Sequence, residues 1–293
     1  MSDGILLIDK PAGPTSHDVV GAVRRALDIA RVGHAGTLDP PATGLLVILV
    51  GRATRLARFV GLLRKRYTGT IRFGSETTTG DADGEALGEA DESWRTRTRA
   101  DLEQALAQVQ GQDEQMPPPV SAKKVEGVRA YRRVRRGEMP VMKPVRVTIF
   151  GLQLSTFDSS TGEAAIEVEC SSGTYIRSIA RDVGRVLGTR AHLSSLRRTA
   201  IGPWNVEQAQ QLRDVDAGLF AVKPEVLRPM REALAHLPAV ILSADDAKRL
   251  ATGQKIAAPK DATGPAAVFD AEGLIGVANV EDGLLHPDVV LVG

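Results

Sequence analysis

The sequence predicts an α+β fold, on three grounds. Short apolar runs that read as strands stand among segments with apolar residues at helical spacing. The two kinds do not alternate strictly as βαβ units. The texture also changes twice, at a basic, proline-flanked stretch near the middle and at a glycine-punctuated stretch near the end. At 293 residues the chain can bury a large core and hold one or two domains. Its 43% hydrophobic and 25% charged residues are globular values and argue against a disordered chain.

Gly4-Ile5-Leu6-Leu7-Ile8 reads as a short buried strand stopped by Lys10-Pro11-Ala12-Gly13-Pro14. Ser16 is the expected N-cap of a helix to about Ala30, with Val20, Val23, Leu27 and Ala30 on one face. Leu45 to Val50 is apolar throughout and too short for a typical helix, so it is expected as a central strand, with a further strand at Tyr67 to Phe73. Ala100 to Gln110 repeats Leu102, Ala105, Leu106 and Val109 at helical spacing. Met116-Pro117-Pro118-Pro119 breaks regular structure, and the basic stretch through Arg136 has no apolar period before Pro140 and Pro144. Residues 117–144 are therefore expected to form a mobile insertion projecting from the core. Alternation restarts at 145–154 and again at Ala164 to Cys170, and a helix from about Tyr175 to Leu187 buries Ile176, Ile179, Ala180, Val183 and Leu187. From Leu237-Pro238 a short helix near Asp245–Ala251 sits among brief strands at Ala266–Phe269, Leu274–Val280 and Val289–Val292. The expected division is thus a larger domain over 1–236 and a small β-rich one over 237–293.

The formal net charge of +1 hides strong segregation. Residues 52–72 carry seven basic side chains and no acidic one, residues 121–146 nine basic against two acidic, and residues 177–198 six arginines against Asp182. Seven carboxylates and no base fall in 76–92. One such block reads as a solvated surface, but three suggest a face for a polyanion. No apolar run reaches the roughly 18 residues of a membrane helix. The N-terminus lacks a signal-peptide pattern, and the single cysteine, Cys170, cannot form an internal disulfide. The expectation is a soluble cytoplasmic protein that does not act at a membrane.

The most constrained stretch runs from Gly33 to Gly44, where three glycines and two prolines fix a loop leading into the apolar run 45–50. On its residues alone, Asp39 there reads either as a turn-capping carboxylate ahead of Pro40 or as a group held rigidly for nucleophilic or acid/base chemistry.

Gly33 to Gly44, followed by Gly51-Arg52-Ala53-Thr54-Arg55, resembles the first signature of the TruB family of tRNA pseudouridine synthases. Lys65-Arg66-Tyr67, the loop Thr79-Gly80-Asp81-Ala82-Asp83-Gly84, Pro118 to Gly127 with Ala130-Tyr131, Ser172-Gly173-Thr174-Tyr175-Ile176-Arg177 and Leu196-Arg197-Arg198-Thr199 resemble further family motifs in the same order. The resemblance spans residues 4 to 202, and the tail resembles the family's RNA-binding domain of PUA type. It implies a mixed-sheet catalytic domain with an RNA-binding insertion at about 117–144 and a small PUA-like C-terminal domain.

The resemblance makes Asp39 the catalytic nucleophile, acting on a uridine flipped out of the RNA, with no cofactor and no metal. Arg177 matches the arginine that pairs with this aspartate, a role in which a guanidinium can grip a carboxylate with both arms. By spacing alone Arg177, Arg181 and Arg185 would instead form an exposed or phosphate-facing stripe. Tyr67 matches the aromatic platform for the base, worth about 1–3 kcal/mol of stacking. Leu196 matches the apolar residue opposite, and His34 a residue that displaces the target nucleotide. Arg55 and Asp81 coincide with further active-site positions. Lys123, Lys124, Arg129, Arg132, Arg133, Arg135 and Arg136 correspond to an element that closes over the RNA stem-loop through phosphate contacts. Val120 departs from the tyrosine common at its position, which leaves a local contact open. The implied activity is conversion of uridine 55 in the T-loop of tRNA by a monomer that engages the T-arm stem-loop. The rivals are a non-catalytic tRNA-binding or tRNA-folding protein and a related synthase acting on another RNA.

Overall fold

The computed structural model describes residues 3–121, 123–134, 136–212 and 226–292. Its first half runs β1 (Gly4–Lys10), α1 (Ser16–Leu27), β2 (Val32–His34), β3 (Thr43–Val50), α2 (Ala57–Leu62), β4 (Lys65–Phe73), α3 (Arg99–Gln110) and β5 (Glu114–Gln115). Next come β6 (Lys124–Val125), β7 (Val128–Arg129), α4 (Ala130–Val134), β8 (Val145–Arg146), β9 (Ile149–Asp158), β10 (Glu163–Cys170), α5 (Ile176–Leu187) and β11 (Ala191–Ile201). The remainder comprises β12 (Trp204–Asn205), β13 (Gln210–Gln211), β14 (Ala239–Ile241), α6 (Ala244–Ala251), β15 (Ile256–Ala257), β16 (Ala266–Phe269), β17 (Leu274–Glu281) and β18 (Leu284–Val290). No helix among the described residues is long and apolar enough to cross a membrane.

The fold is α+β, built on a mixed sheet of order β13-β1-β3-β11-β4-β10-β9, with β2 added to β3 and β12 to β11. The apolar run 45–50 does form a central strand, buried on both faces. On one flank α3 and α5 pack on β4, β10 and β11, and on the other α1 packs on β1 and β3. A second sheet, β14-β16-β17-β18-β15, forms the β-rich C-terminal part. Its Ala267, Val277, Val289 and Leu291 join Ile5, Leu7, Val47 and Leu49 in one apolar cluster, so the two sheets share a core.

Several expectations shift. Helix α1 is capped by Thr15, not Ser16: the Thr15 side chain accepts from Asp18 N at 3.1 Å, and the Asp18 carboxylate accepts from Thr15 N at 2.8 Å. The helix ends at Leu27, where Asp28 turns left-handed. The eleven-residue strand β11 was not evident in the sequence, because register shifts at Leu193/Ser195 and Arg198/Ala200 break the period-2 pattern. The last strand covers Leu284–Val290 instead of Val289–Val292, and it admits Pro287 beside a register shift in its partner β17. The basic insertion is not without regular structure. Between the paired β5 and β8 at its base lie the hairpin β6–β7 and the short helix α4.

The two halves of the main sheet meet where β3 runs beside β11 for two residues, Thr43 opposite Arg197 and Gly44 opposite Arg198. Gly44 has φ +101°, and a Cβ there would fall 2.2 Å from the Arg198 carbonyl oxygen. Gly44→Ala should therefore cost at least about 3 kcal/mol and lower Tm by roughly 6–12 °C. Gly13 shares the positive φ (+108°) but faces open space, so Gly13→Ala should cost only about 1–2 kcal/mol. Thermal melts that rank the two variants equally would contradict this account of the junction.

Candidate active site

Asp39 sits on a loop between β2 and β3 that is held from every side. The Ser16 hydroxyl, turned inward, donates to Leu38 O at 3.0 Å and accepts from Leu38 N at 2.9 Å, fixing the residue before Asp39. Lys10 is fully buried at the end of β1, and its ammonium donates to the carbonyls of Pro11, Pro14 and Pro40 at 2.9, 2.9 and 3.0 Å. Arg198 is 1% exposed, and its guanidinium donates to Leu45 O at 2.7 Å, Gly36 O at 3.1 Å and Thr37 O at 3.4 Å. Neither buried cation forms a salt bridge among the described residues; Lys10 donates to carbonyls, and Arg198 to carbonyls and to the Tyr67 hydroxyl.

From the opposite side comes Arg177, at the start of α5. Its side chain is 7% exposed, and Nη2 lies 3.0 Å from the Asp39 carboxylate, itself 43% exposed. The other arm reaches Asp81 at 3.5 Å. Thr79 O accepts from Nη1 at 2.6 Å and Val120 O from Nη2 at 3.0 Å. The grip on Asp39 is thus one-armed, because the guanidinium fork is shared between two carboxylates and two carbonyls. The Val120 contact is made by backbone, so it does not need a tyrosine at that position. Arg181 and Arg185 do not continue the role. Arg181 binds Asp182 and Met116 O, and the exposed Arg185 lies 3.9 Å from both Glu76 and Asp182.

Asp39, Asp81, Arg177 and Leu196 line one small pocket of about 40 Å³, together with Leu193 to Ser195. Asp39 also lines a cleft of about 1100 Å³, whose walls include His17, His34, Tyr131, Arg129, Arg132 and Arg136. The carboxylate therefore stands where a narrow pocket opens into a basic cleft. Burial and the Arg198 charge hold the His34 imidazole below its usual pKa, and its Nδ1 is buried with no hydrogen-bond partner among the described residues. Tyr67 lies directly across the strand pair from Arg198, packed in the core beneath α5. Burial raises its hydroxyl pKa, with the Arg198 charge opposing.

Not every expected residue joins the site. Arg55 donates to Val290 O, and Arg52 to Leu291 O, so both help join the C-terminal sheet to the main one, as does the Arg58–Asp288 pair. The rest of the 52–72 block is also engaged: Arg64 with Glu169, Lys65 with backbone carbonyls, Arg66 with Asn205 and Arg72 with Glu163. Only Arg52, Arg58, Arg64 and Arg72 of the block meet carboxylates; the other three are held by neutral oxygens. Arg133 is held by Glu126 at 2.7 Å and Glu138 at 3.4 Å, and Lys123 donates to Lys143 O at 3.3 Å. The Lys124 side chain and Arg135 lie outside the described residues. Lys10, Ser16 and Arg198 were missed in the sequence. Strand parity was the available signal for Lys10, which follows Leu6 and Ile8 on the buried side, whereas the register shift beyond Arg198 removes that signal in β11.

The sequence model described as TruB family pseudouridylate synthase (N terminal domain) matches residues 24–176. The tRNA pseudouridylate synthase B C-terminal domain matches 177–246, and the C-terminal domain of pseudouridine synthase II TruB matches 238–291. The tRNA pseudouridine synthase B of Thermobifida fusca is 44% identical over 306 residues, covering 100% of both chains. That of Arthrobacter sp. is 42% identical, covering 100% of this chain and 97% of its own. Among solved structures, a Cbf5-Nop10-Gar1 complex superposes with a TM-score of 0.75 at 23% identity, over 99% of this chain and 85% of that one. An H/ACA RNP bound to a substrate RNA containing 2′-deoxyuridine gives 0.72 at 21% identity, over 99% and 85%. These two likenesses concern the fold.

The Lys10 clamp has a pH consequence. Burial lowers the Lys10 pKa to about 8, with the Asp39 charge opposing the shift. Above that pH an amine offers two donors to three carbonyls, so the loop carrying Asp39 should loosen, and any turnover that depends on that loop should fall, with a midpoint near pH 8. Stability should move the other way. The folded pKa lies below the unfolded value of about 10.4, so the unfolded chain binds more protons in between, and this group's contribution to stability rises with pH across that window. Lys10→Met should show a low rate with no such limb, and a flat wild-type profile from pH 7 to 9 would contradict the assignment.

Proposed function

The chain belongs to the TruB family of pseudouridylate synthases, and from that membership we propose that it converts uridine 55 in the T-loop of tRNA to pseudouridine with Asp39 as nucleophile. The observation that carries the reading is the contact between Asp39 and Arg177. Two residues far apart in sequence, each in its own family motif, meet at 3.0 Å where a small pocket opens into a basic cleft. The related proteins of Thermobifida fusca and Arthrobacter are tRNA pseudouridine synthases, which supports tRNA as the substrate class.

The reaction breaks the bond from C1′ to N1 of uracil and forms one from C1′ to C5. The proton on C5 is lost and N1 gains one, so there is no net redox change. Attack on the sugar, attack on the base and removal of a sugar proton all require a positioned, ionised carboxylate. Arg177 keeps Asp39 oriented. Tyr67 supplies the ring on which the flipped base stacks, Leu196 packs against the base, and His34 helps displace it. Asp81, sharing the Arg177 fork, holds that guanidinium in place. Arg129, Arg132 and Arg136 contact phosphates of the T-arm stem-loop from the cleft wall, assisted by Lys123 and Lys124 of the 117–144 insertion. The domain over 237–293 adds a PUA-like RNA contact to the catalytic domain over 1–236. The protein acts as a monomer in the cytoplasm.

Asp39→Asn should bind an isolated T-arm hairpin within about threefold of wild type and form no pseudouridine. Normal turnover by the variant would refute the nucleophile. A wild-type protein that modifies another RNA but not this hairpin would refute the substrate, and a chain that binds tRNA and modifies nothing would be the non-catalytic binder. Neutralising Arg129, Arg132 and Arg136 together should weaken binding and lower the slope of log K against log salt by up to roughly 2–3. An unchanged slope in filter binding would mean that these arginines face solvent only.

A further inference from the structure

Arg198 lies in no assigned role, yet its placement is unusual. It is almost fully buried and forms no salt bridge with a carboxylate among the described residues. A buried guanidinium is costly to desolvate, and a purely structural filler between β3 and β11 would be met more cheaply by an apolar side chain. What an apolar side chain cannot do is hold three carbonyls in a fixed plane, as the rigid guanidinium fork does. Two of those carbonyls, Gly36 and Thr37, belong to the loop that carries Asp39, and the third, Leu45, lies near the start of β3.

The backbone of Arg198 is fixed just as firmly. It sits on β11 opposite Gly44 of β3 on one side and opposite Tyr67 of β4 on the other. Leu196, two residues earlier on the same strand, lines the pocket with Asp39. One residue therefore touches the nucleophile loop with its side chain and the base-platform strand with its backbone and, at the Tyr67 hydroxyl, its side chain as well. We propose that Arg198 is a positioning residue that sets Asp39 in register with Tyr67 and Leu196. The inference rests on Asp39 being the reacting carboxylate. A displacement of even 1 Å between a nucleophile and its target can cost about 100-fold in rate.

The test is single-turnover conversion of unmodified tRNA by excess full-length enzyme, with wild type, Arg198→Met, Arg198→Lys and Asp39→Asn. The rate constant, the amplitude and the tRNA Kd are read for each. A residue that merely supports folding lowers the active fraction, read separately by titration with tRNA, and at saturating enzyme leaves the rate constant of the folded fraction unchanged. Arg198→Met should instead keep Kd within about threefold while its rate constant falls about 100-fold. Arg198→Lys, with a point charge in place of the fork, should recover about tenfold of that loss. If Arg198→Met does not fold, Arg198→Lys carries the test alone, and its rate constant should lie about tenfold below wild type at full amplitude. A rate constant within threefold of wild type in either folded variant overturns the proposal. Activity in Asp39→Asn would instead overturn the reading of the site on which it rests.

Discussion

The two halves of the main sheet are joined by two residue pairs, Thr43 with Arg197 and Gly44 with Arg198. So short a parallel contact supplies few hydrogen bonds, and the side chains of the two arginines extend it. Arg197 grips Asp9 of β1 with both arms at 2.9 and 2.8 Å. Arg198 reaches the β2–β3 loop and the start of β3. The junction demands a glycine at 44, because any side chain would strike the backbone of β11. The loop carrying Asp39 ends at this junction, so the strain-free packing of two strands and the position of one carboxylate are set by the same few atoms.

Electrostatics follow from that arrangement. Three cations, Lys10, Arg177 and Arg198, surround a loop whose half-exposed acidic side chain is Asp39. Two of them are held by carbonyls and one is shared between Asp39 and Asp81. Positive charge placed in a low-dielectric interior acts more strongly than the same charge in water. The wider charge blocks behave differently. In the 52–72 block, Arg52, Arg58, Arg64 and Arg72 meet carboxylates and Arg55, Lys65 and Arg66 meet neutral oxygens, whereas Arg129, Arg132 and Arg136 line the cleft.

Much of the fold was legible in the sequence, because β1, β3, β4, β10, α3 and α5 each bury one clear apolar pattern. Strand β11 was not, since its two register shifts scramble the alternation that marks a strand. Ser16 read as a cap because hydroxyl residues usually are, yet Thr15 took that place and freed Ser16 to hold Leu38. At the site, Asp39, Arg177, Asp81 and Leu196 came from motif resemblance, and they converge on one pocket. Helical spacing would have put Arg177 on a solvated stripe. Arg55 came from the same resemblance and instead meets the C-terminal sheet. Lys10 and Arg198 escaped notice because a charged residue is by default assigned to the surface, and only the packing of distant segments reveals the carbonyls that make burial tolerable.

The central claim is that one carboxylate, held by Arg177 at the mouth of a basic cleft, isomerises one uridine of tRNA. It is tested most directly by mass-based mapping of pseudouridine across a complete unmodified tRNA incubated with the wild-type chain or with Arg177→Met. The account predicts pseudouridine at position 55 with wild type, and none with the variant although it still binds the tRNA. Modification at 55 by Arg177→Met at the wild-type rate, or an unmodified position 55 with wild type, would contradict it.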